Sequence, residues 1–160
     1  MRADDLDRIC RIEGNSFPNP WSRKSFLGDL RSSLARCTVA LADKRVVGYS
    51  VGWFVIDELH VLNLAVDPGY RRRGIGRELL VDLLAAAGRR GCHYAALELR
   101  ESNRQARRLY EEHGFRPVAV RKRYYRRPAE DALVMWLDLG SGTGPGDPGP
   151  EVTDGVVSKG

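Results

Sequence analysis

His60-Val-Leu-Asn-Leu-Ala-Val-Asp-Pro-Gly-Tyr-Arg-Arg-Arg-Gly-Ile-Gly-Arg77 holds three local signals in one run. Val61 to Val66 is apolar and rich in β-formers, which predicts a short strand ending at Asp67. Asp67-Pro68-Gly69 is turn chemistry. Beyond the arginines, Leu79, Leu80, Leu83, Leu84 and Ala87 recur at helical spacing, which predicts a helix over 77–90 with Gly91 as its stop. A strand, a basic glycine-containing loop and a helix start make an anion site. The first N–H groups of a helix have no internal partner and carry partial positive charge, and the two glycines let a phosphate come close to the backbone.

The spacing narrows the anion. A mononucleotide P-loop needs G-x-x-x-x-G-K-[ST], which is absent. A dinucleotide fingerprint needs Gly or Ala three residues after Gly76, where Leu79 stands. What remains is Arg-x-x-Gly-x-Gly between a strand and a helix. Taken alone, such a loop is also what a solvated basic turn looks like.

Working outward, residues 4–14 predict a helix, with Leu6, Ile9, Cys10 and Glu13 at helical spacing and Gly14 as its stop. Asn15 to Trp21 is a rigid turn with two prolines. Ser22 is an N-cap candidate for a second helix with Phe26, Leu27 and Leu30 on its apolar face. Phe17 and Trp21 can staple helix to core or wall a pocket. Cys37–Ala42 and Val46–Val55 predict a β-hairpin across Asp43-Lys44-Arg45, and with the 61–66 strand an antiparallel meander. His93–Leu99 predicts a strand with Glu98 on the face opposite Leu97 and Leu99. Ser102 and Gln105 fit a capping box opening a helix through His113, and Gly114 ends it. Phe115–Val120 and Ala132–Leu139 predict the last strands, with 121–131 as the loop between them. The order α-α-β-β-β-α-β-α-β-β implies an α/β (α+β) fold.

The chain has 160 residues, 42% of them hydrophobic, which fits one domain with a real core. Seven glycines and three prolines in residues 140–160 leave nothing to bury, so the domain is expected over 1–139 and a disordered tail over 140–160. No apolar run approaches the ~20 residues of a membrane span. The charged N-terminus does not read as a signal peptide. Cys10, Cys37 and Cys92 are scattered, which argues against a disulfide framework or a zinc site and fits a reducing cytoplasm. His60, His93 and His113 have no metal-ligand spacing, so no metal is expected. The formal charge of +5 is concentrated at 71–77 and 121–127, which suits a polyanionic ligand, an acidic substrate or a nucleic-acid-rich neighbourhood.

The loop resembles the acetyl-CoA pyrophosphate loop of the GNAT superfamily of N-acetyltransferases. Asn103-x-x-Ala106-x-x-x-Tyr110-x-x-x-Gly114-Phe115 also resembles that superfamily. Phe17-Pro-Asn-Pro-Trp-Ser22, Asn63-Leu-Ala-Val-Asp-Pro68, Leu97-Glu-Leu-Arg100, Arg123-Tyr-Tyr125 and Glu130-Asp-Ala132 resemble its RimI-type branch, which acetylates the N-terminal alanine of a small-subunit ribosomal protein. The match runs in order over about 4–139. It implies a mixed, largely antiparallel sheet flanked by about four helices. Only Met1-Arg2-Ala3 precedes Asp4, so the family's strand before the first helix is expected either to be truncated here or to be cut off by a start placed late.

The resemblance implies roles residue by residue. Leu64, Ala65 and Val66 would pair by backbone with the pantetheine arm of acetyl-CoA. Arg71, Arg72, Arg73, Gly74, Ile75, Gly76 and Arg77 would hold the pyrophosphate, and Asn103 would bond near the thioester. Glu98 would be the general base and Tyr110 the general acid. Phe17, Pro18, Trp21, Tyr124 and Tyr125 would clasp the substrate's N-terminal residues. The implied activity is acetyl transfer to a protein α-amine. A broader N-terminal or small-amine acetyltransferase, or a non-catalytic acetyl-CoA or RNA binder, are the alternatives. Arg121-Lys-Arg-Tyr-Tyr-Arg-Arg127 also has the basic–aromatic mix of a single-strand binder, but direct nucleic-acid binding is not expected.

Chemistry supports these residue types. An α-amine with a pKa of about 7.7–8.0 arrives mostly protonated, and a carboxylate can take its proton. A phenol beside the sulfur can protonate the leaving thiolate.

Overall fold

A computed structural model describes residues 1–140. The glycine-rich stretch 141–160, where most of the tail was expected, lies outside the described residues. The elements follow the expected order. A 3-10 turn over Ala3–Asp5 leads into α1 (Leu6–Ser16), followed by α2 (Arg23–Arg31), β1 (Ala35–Ala42), β2 (Arg45–Val55) and β3 (Glu58–Val66). Then come α3 (Ile75–Arg89), β4 (Tyr94–Arg100), α4 (Arg104–Glu112), β5 (Arg116–Arg126) and β6 (Ala129–Asp138). One six-stranded sheet has the order β1-β2-β3-β4-β6-β5. Only β3–β4 is parallel; the other four pairs are antiparallel.

Two apolar layers sandwich the sheet. Leu6, Ile9, Ile12 and Phe26 of α1 and α2 pack on Tyr49, Val51 and Ala65. Leu80, Leu83 and Ala87 of α3 and Tyr110 of α4 pack on Leu59, Leu97, Leu99 and Met135. Strand alternation decides which layer each residue joins. Along β2, Tyr49 and Val51 face α1, whereas Gly48 and Gly52 face α3. A Cβ on Gly52 would lie 2.9 Å from Leu59 Cδ1 and 3.0 Å from Leu83 Cδ2, so its missing side chain lets α3 seat closely.

Four local expectations are corrected. Gly14 does not stop α1, which continues to Ser16 and ends where Phe17 turns extended. The expected S-x-x-Q box does not form. Asn103 caps α4 instead, its side chain accepting from the Ala106 N–H at 3.1 Å, while the Ser102 N–H donates to Glu130 at 2.6 Å. The 121–131 stretch is not a loop, because β5 runs on to Arg126 and β6 starts at Ala129. Register shifts between Pro117 and Ala119 and between Arg121 and Tyr125 absorb extra residues, and Arg123 sits at φ 53°. A strand broken by such shifts has no clean two-residue alternation, which is why the sequence hides it. Finally, α3 starts at Ile75, directly after Gly74, rather than at 77, and its last residue is Arg89, with Gly91 at φ 72° beyond. Other expectations hold. Ser22 caps α2, accepting from the Ser25 N–H at 3.1 Å. Asp43 and Lys44, both at positive φ, turn the β1–β2 hairpin.

No helix among the described residues is long and apolar enough to cross a membrane. Among them, too, no strand precedes α1, and β1 and β5 are the sheet edges.

Candidate active site

The site begins with a fault in the sheet. Across β2–β3, Val51 pairs with Asn63 and Gly52 with Val61, so Leu62 is the extra residue of a bulge. A bulge bends its strand and increases twist. On the other side, β3 is in parallel register with β4 from Glu58–Tyr94 only as far as Val61–Leu97. Beyond that pair the strands part, and Leu62–Val66 and Glu98–Arg100 line a cleft that opens between them.

Two connected spaces fill the cleft. The larger, about 530 Å³, runs along Leu64, Ala65 and Val66 to the 71–77 loop and is closed on its far side by α4. The smaller, about 80 Å³, holds Glu98 and Tyr110 and is walled by Phe17, Pro18, Leu62, Asn63 and Tyr125. Phe17, Leu64, Asn103 and Ala106 border both.

The larger space has the features of a polyanion groove. Gly74, at φ 81°, takes the turn into α3 that other residues adopt only with strain. Gly76 faces Leu109, Val66 and Leu64 with no side chain of its own, keeping the crease open. The first N–H groups of α3 and the guanidinium groups of Arg72 and Arg77 stand at this end, and Arg108 of α4 faces them. The loop's arginines are not equivalent. Arg71 turns inward, its Nε donating to the Val66 carbonyl at 3.1 Å and its other arm to Ser16 Oγ at 3.2 Å. Arg73 lies over the Tyr70 ring at 5.1 Å and does not line the groove. Asp67 braces the loop's start, accepting from the Gly69 N–H at 2.9 Å and pairing with Arg8.

The smaller space joins groups from both faces of the sheet. Leu97 and Leu99 belong to the α3–α4 layer, so Glu98 points to the other face. Tyr110 comes from α4 and reaches the cleft where the strands part. Burial alone pushes the Tyr110 phenol up to about 12, so it keeps its proton throughout the neutral range. Glu98 Oε1 is 3.1 Å from Arg121 Nε, whereas Oε2 is buried and accepts no hydrogen bond from the described residues.

The expected substrate clasp divides. Phe17, Pro18 and Tyr125 line the small space, and Tyr125 is fixed under the Arg100 guanidinium at 4.1 Å. Tyr124 and Trp21 do not line it. Tyr124, in β5 rather than in a loop, packs edge-on to Tyr125 and beneath Arg121. Trp21 serves the core: its ring sits 5.5 Å from Phe26, and its backbone N–H donates to Glu13 at 2.8 Å. Glu13 is fully buried and also accepts from Tyr49 Oη and from Asn63 Nδ2 at 3.2 Å, tying α1, the 17–21 turn and the bulged strand together. Burial and this carboxylate push the Tyr49 phenol well above its usual range.

Sequence reasoning missed Arg121, Arg100, Asn63 and Asn19 as site residues. Alternation along β4 sets Arg100 on the face of Glu98, whereas Asn63, Arg121 and Asn19 reach the site through the bulge, the β5 shifts and the 17–21 turn, where nothing local marks them. The three histidines have local partners, His60 with Glu58 at 3.0 Å, His93 with Asp57 at 3.3 Å and His113 with the Leu109 carbonyl at 2.8 Å.

Comparison with known proteins gives the family. The model of the Acetyltransferase (GNAT) family matches residues 6–115. The [ribosomal protein bS18]-alanine N-acetyltransferase of Salmonella typhimurium (strain LT2) is 36% identical over 141 residues, covering 87% of this chain and 95% of its own length. The enzyme of the same name from Haemophilus influenzae is 34% identical over 141 residues, covering 84% and 93%. Among solved structures, the ribosomal-protein-S18-alanine N-acetyltransferase from Escherichia coli superposes with a TM-score of 0.81 at 32% identity, covering 91% of this chain and 94% of that one.

Proposed function

This chain belongs to the acetyltransferase (GNAT) family, and from that premise we propose that it acetylates the α-amine of a protein N-terminus, with the N-terminal alanine of ribosomal protein bS18 as the acceptor. One observation carries the reading. Where β3 and β4 part, a basic groove with the shape for an extended polyanion runs into a small compartment holding one carboxylate and one protonated phenol. A bS18 acceptor puts the reaction in the cytoplasm.

The residues fit acetyl-CoA, which supplies an acetyl group activated as a thioester. Gly74, Gly76, the α3 N-terminus, Arg72 and Arg77 would take its pyrophosphate. Leu64 and Val66 present backbone groups toward the cleft for the pantetheine amides. Arg71 holds the Val66 carbonyl and so leaves that residue's N–H for the cleft. Asn103 stands at the junction of the two spaces. Phe17, Pro18 and Tyr125 surround the acceptor's first residue, and the compartment's small volume suits a small side chain.

Glu98 Oε2 takes a proton from the acceptor ammonium, directly or through one water. The freed nitrogen lone pair bonds to the acetyl carbonyl carbon. Tyr110 gives its proton to the sulfur as the C–S bond breaks. The new amide nitrogen loses its second proton, which restores the phenol. Glu98 returns its own proton to solvent. The balance is one acetylated amine, one thiol and one proton.

Mass spectrometry of short peptides incubated with acetyl-CoA tests this. The first residue is varied among Ala, Ser, Met and Gly, with an N-blocked Lys peptide as control. The expected result is acetyl gain confined to Ala-first peptides. Gain only on the Lys control would refute an α-amine acceptor, and equal gain on all first residues would refute the alanine assignment.

A further inference from the structure

Arg121 reaches Glu98 from two strands away. It stands on β5, with β6 between it and β4. Opposite β6, Arg121 pairs with Ala132 while Glu98 pairs with Val134, so the guanidinium crosses diagonally to meet the carboxylate. Both side chains are largely buried, 19% and 9% exposed. The β5 register fails immediately after Arg121, and its guanidinium also lies 5.6 Å from the Tyr124 ring centre. One oxygen of Glu98 is thereby held, while the other stays buried with no hydrogen-bond partner among the described residues.

The surrounding charges make this pair distinctive. Arg100 of β4 is paired with Glu130 of β6 at 3.2 Å. Tyr110 of α4 keeps its proton. Glu13 of α1 lies behind Asn63 and is occupied by its own donors. Among these described groups, Glu98 is the carboxylate open to an incoming amine, and Arg121 is the cation that offsets its charge.

We propose that Arg121 is a positioning residue that stops Glu98 from trapping the acceptor as an ammonium salt; this rests on Glu98 being the base. A bare buried carboxylate stabilises the charged form of a neighbouring amine and raises its pKa. Without the cation the ammonium–carboxylate pair as a whole holds its proton more tightly, so the acceptor binds well but its nitrogen is freed only at higher pH. Such binding strengthens the ground state, not the transition state. A guanidinium stays protonated at every relevant pH. Placed on Oε1, it cancels that attraction and leaves Oε2 aimed at the amine proton.

The consequence is opposite to that of losing a binding contact. With an Ala-first peptide at saturation, Arg121→Gln should shift the acid limb of kcat upward by about one pH unit, so that kcat at pH 7 falls about ten-fold. KM for the peptide should fall as well. Arg121→Lys, which keeps the charge, should retain the wild-type limb. A peptide beginning with trifluoroalanine, whose amine is far less basic, should bring Arg121→Gln and wild type to similar rates. Should Arg121→Gln fail to fold, Arg121→Met, which keeps the length and apolar stem, carries the same measurements. An unmoved acid limb, or a raised KM at full kcat, overturns the proposal. Glu98→Gln separates the two levels. If it turns over like wild type, the base assignment itself is wrong. If it is inactive while Arg121→Gln keeps the wild-type profile, only the role of Arg121 is wrong.

Discussion

Val61 faces Leu97 across the last registered pair of the parallel β3–β4 junction. Every residue assigned to chemistry lies at or beyond that pair. The bulge at Leu62 bends β3 away on one side, and Glu98, one residue after Leu97, is the first β4 side chain on the cleft's substrate side. A continuous ladder here would have closed the groove and consumed the backbone groups that an extended ligand needs.

The groove's anion end depends on two exposed guanidinium groups, Arg72 and Arg77. A charge-assisted hydrogen bond is worth about 1.5–3 kcal/mol. Replacing either by Ala should therefore weaken coenzyme A binding about ten-fold or more by calorimetry. The loss should shrink as salt is raised. Arg73→Ala, whose side chain lies on Tyr70, should change affinity much less.

Glu13 should matter more to stability than its distance from Glu98 suggests. Glu13→Ala strands the Trp21 backbone N–H, Tyr49 Oη and Asn63 Nδ2 in a buried site. Unsatisfied buried groups cost about 1–3 kcal/mol each, so a loss of about 3 kcal/mol or more is expected in urea unfolding. Glu13→Gln keeps the size and an acceptor oxygen and should lose less.

Asp82 of α3 holds the β1 edge through Arg36 at 2.7 and 2.9 Å and Thr38 at 3.0 Å. The Arg36 bond, more than any other contact, keeps the Asp82 carboxyl below its ordinary range. A depressed carboxylate adds stability that is present above its unfolded pKa of about 3.9 and is lost as pH falls through the lower folded value. Both partners are about one-third exposed, so the pair is worth about 1 kcal/mol after screening. Asp82→Asn should cost that much at pH 7 and little near pH 2. An equal cost at both would show that charge is not what holds β1.

Much of this was readable from the chain because the signals are local. The apolar run before Asp67, the periodicity of Leu79 to Ala87 and the position of Glu98 between two leucines each need only a few neighbouring residues. The same is true of Ser22 as a cap. At Ser102 and Asn103 two good caps stand side by side, and only the demand of Glu130 for the Ser102 N–H decides between them. The rest depends on register. No residue near Leu62 announces a bulge, and the polar run 121–127 reads as a loop although it is paired with β6. Arg121 therefore looked like one charge in a basic patch, and Tyr124 and Tyr125 looked equivalent, until the strand shifts turned only Tyr125 into the site.

The most direct test of the account is single-turnover acetylation of an Ala-first peptide by Glu98→Gln and Tyr110→Phe, each checked for wild-type coenzyme A affinity and melting temperature. The account predicts intact binding with the chemical step slowed about 10²–10⁴-fold in Glu98→Gln and clearly slowed in Tyr110→Phe. Turnover at the wild-type rate in both variants would contradict it and place the chemistry elsewhere.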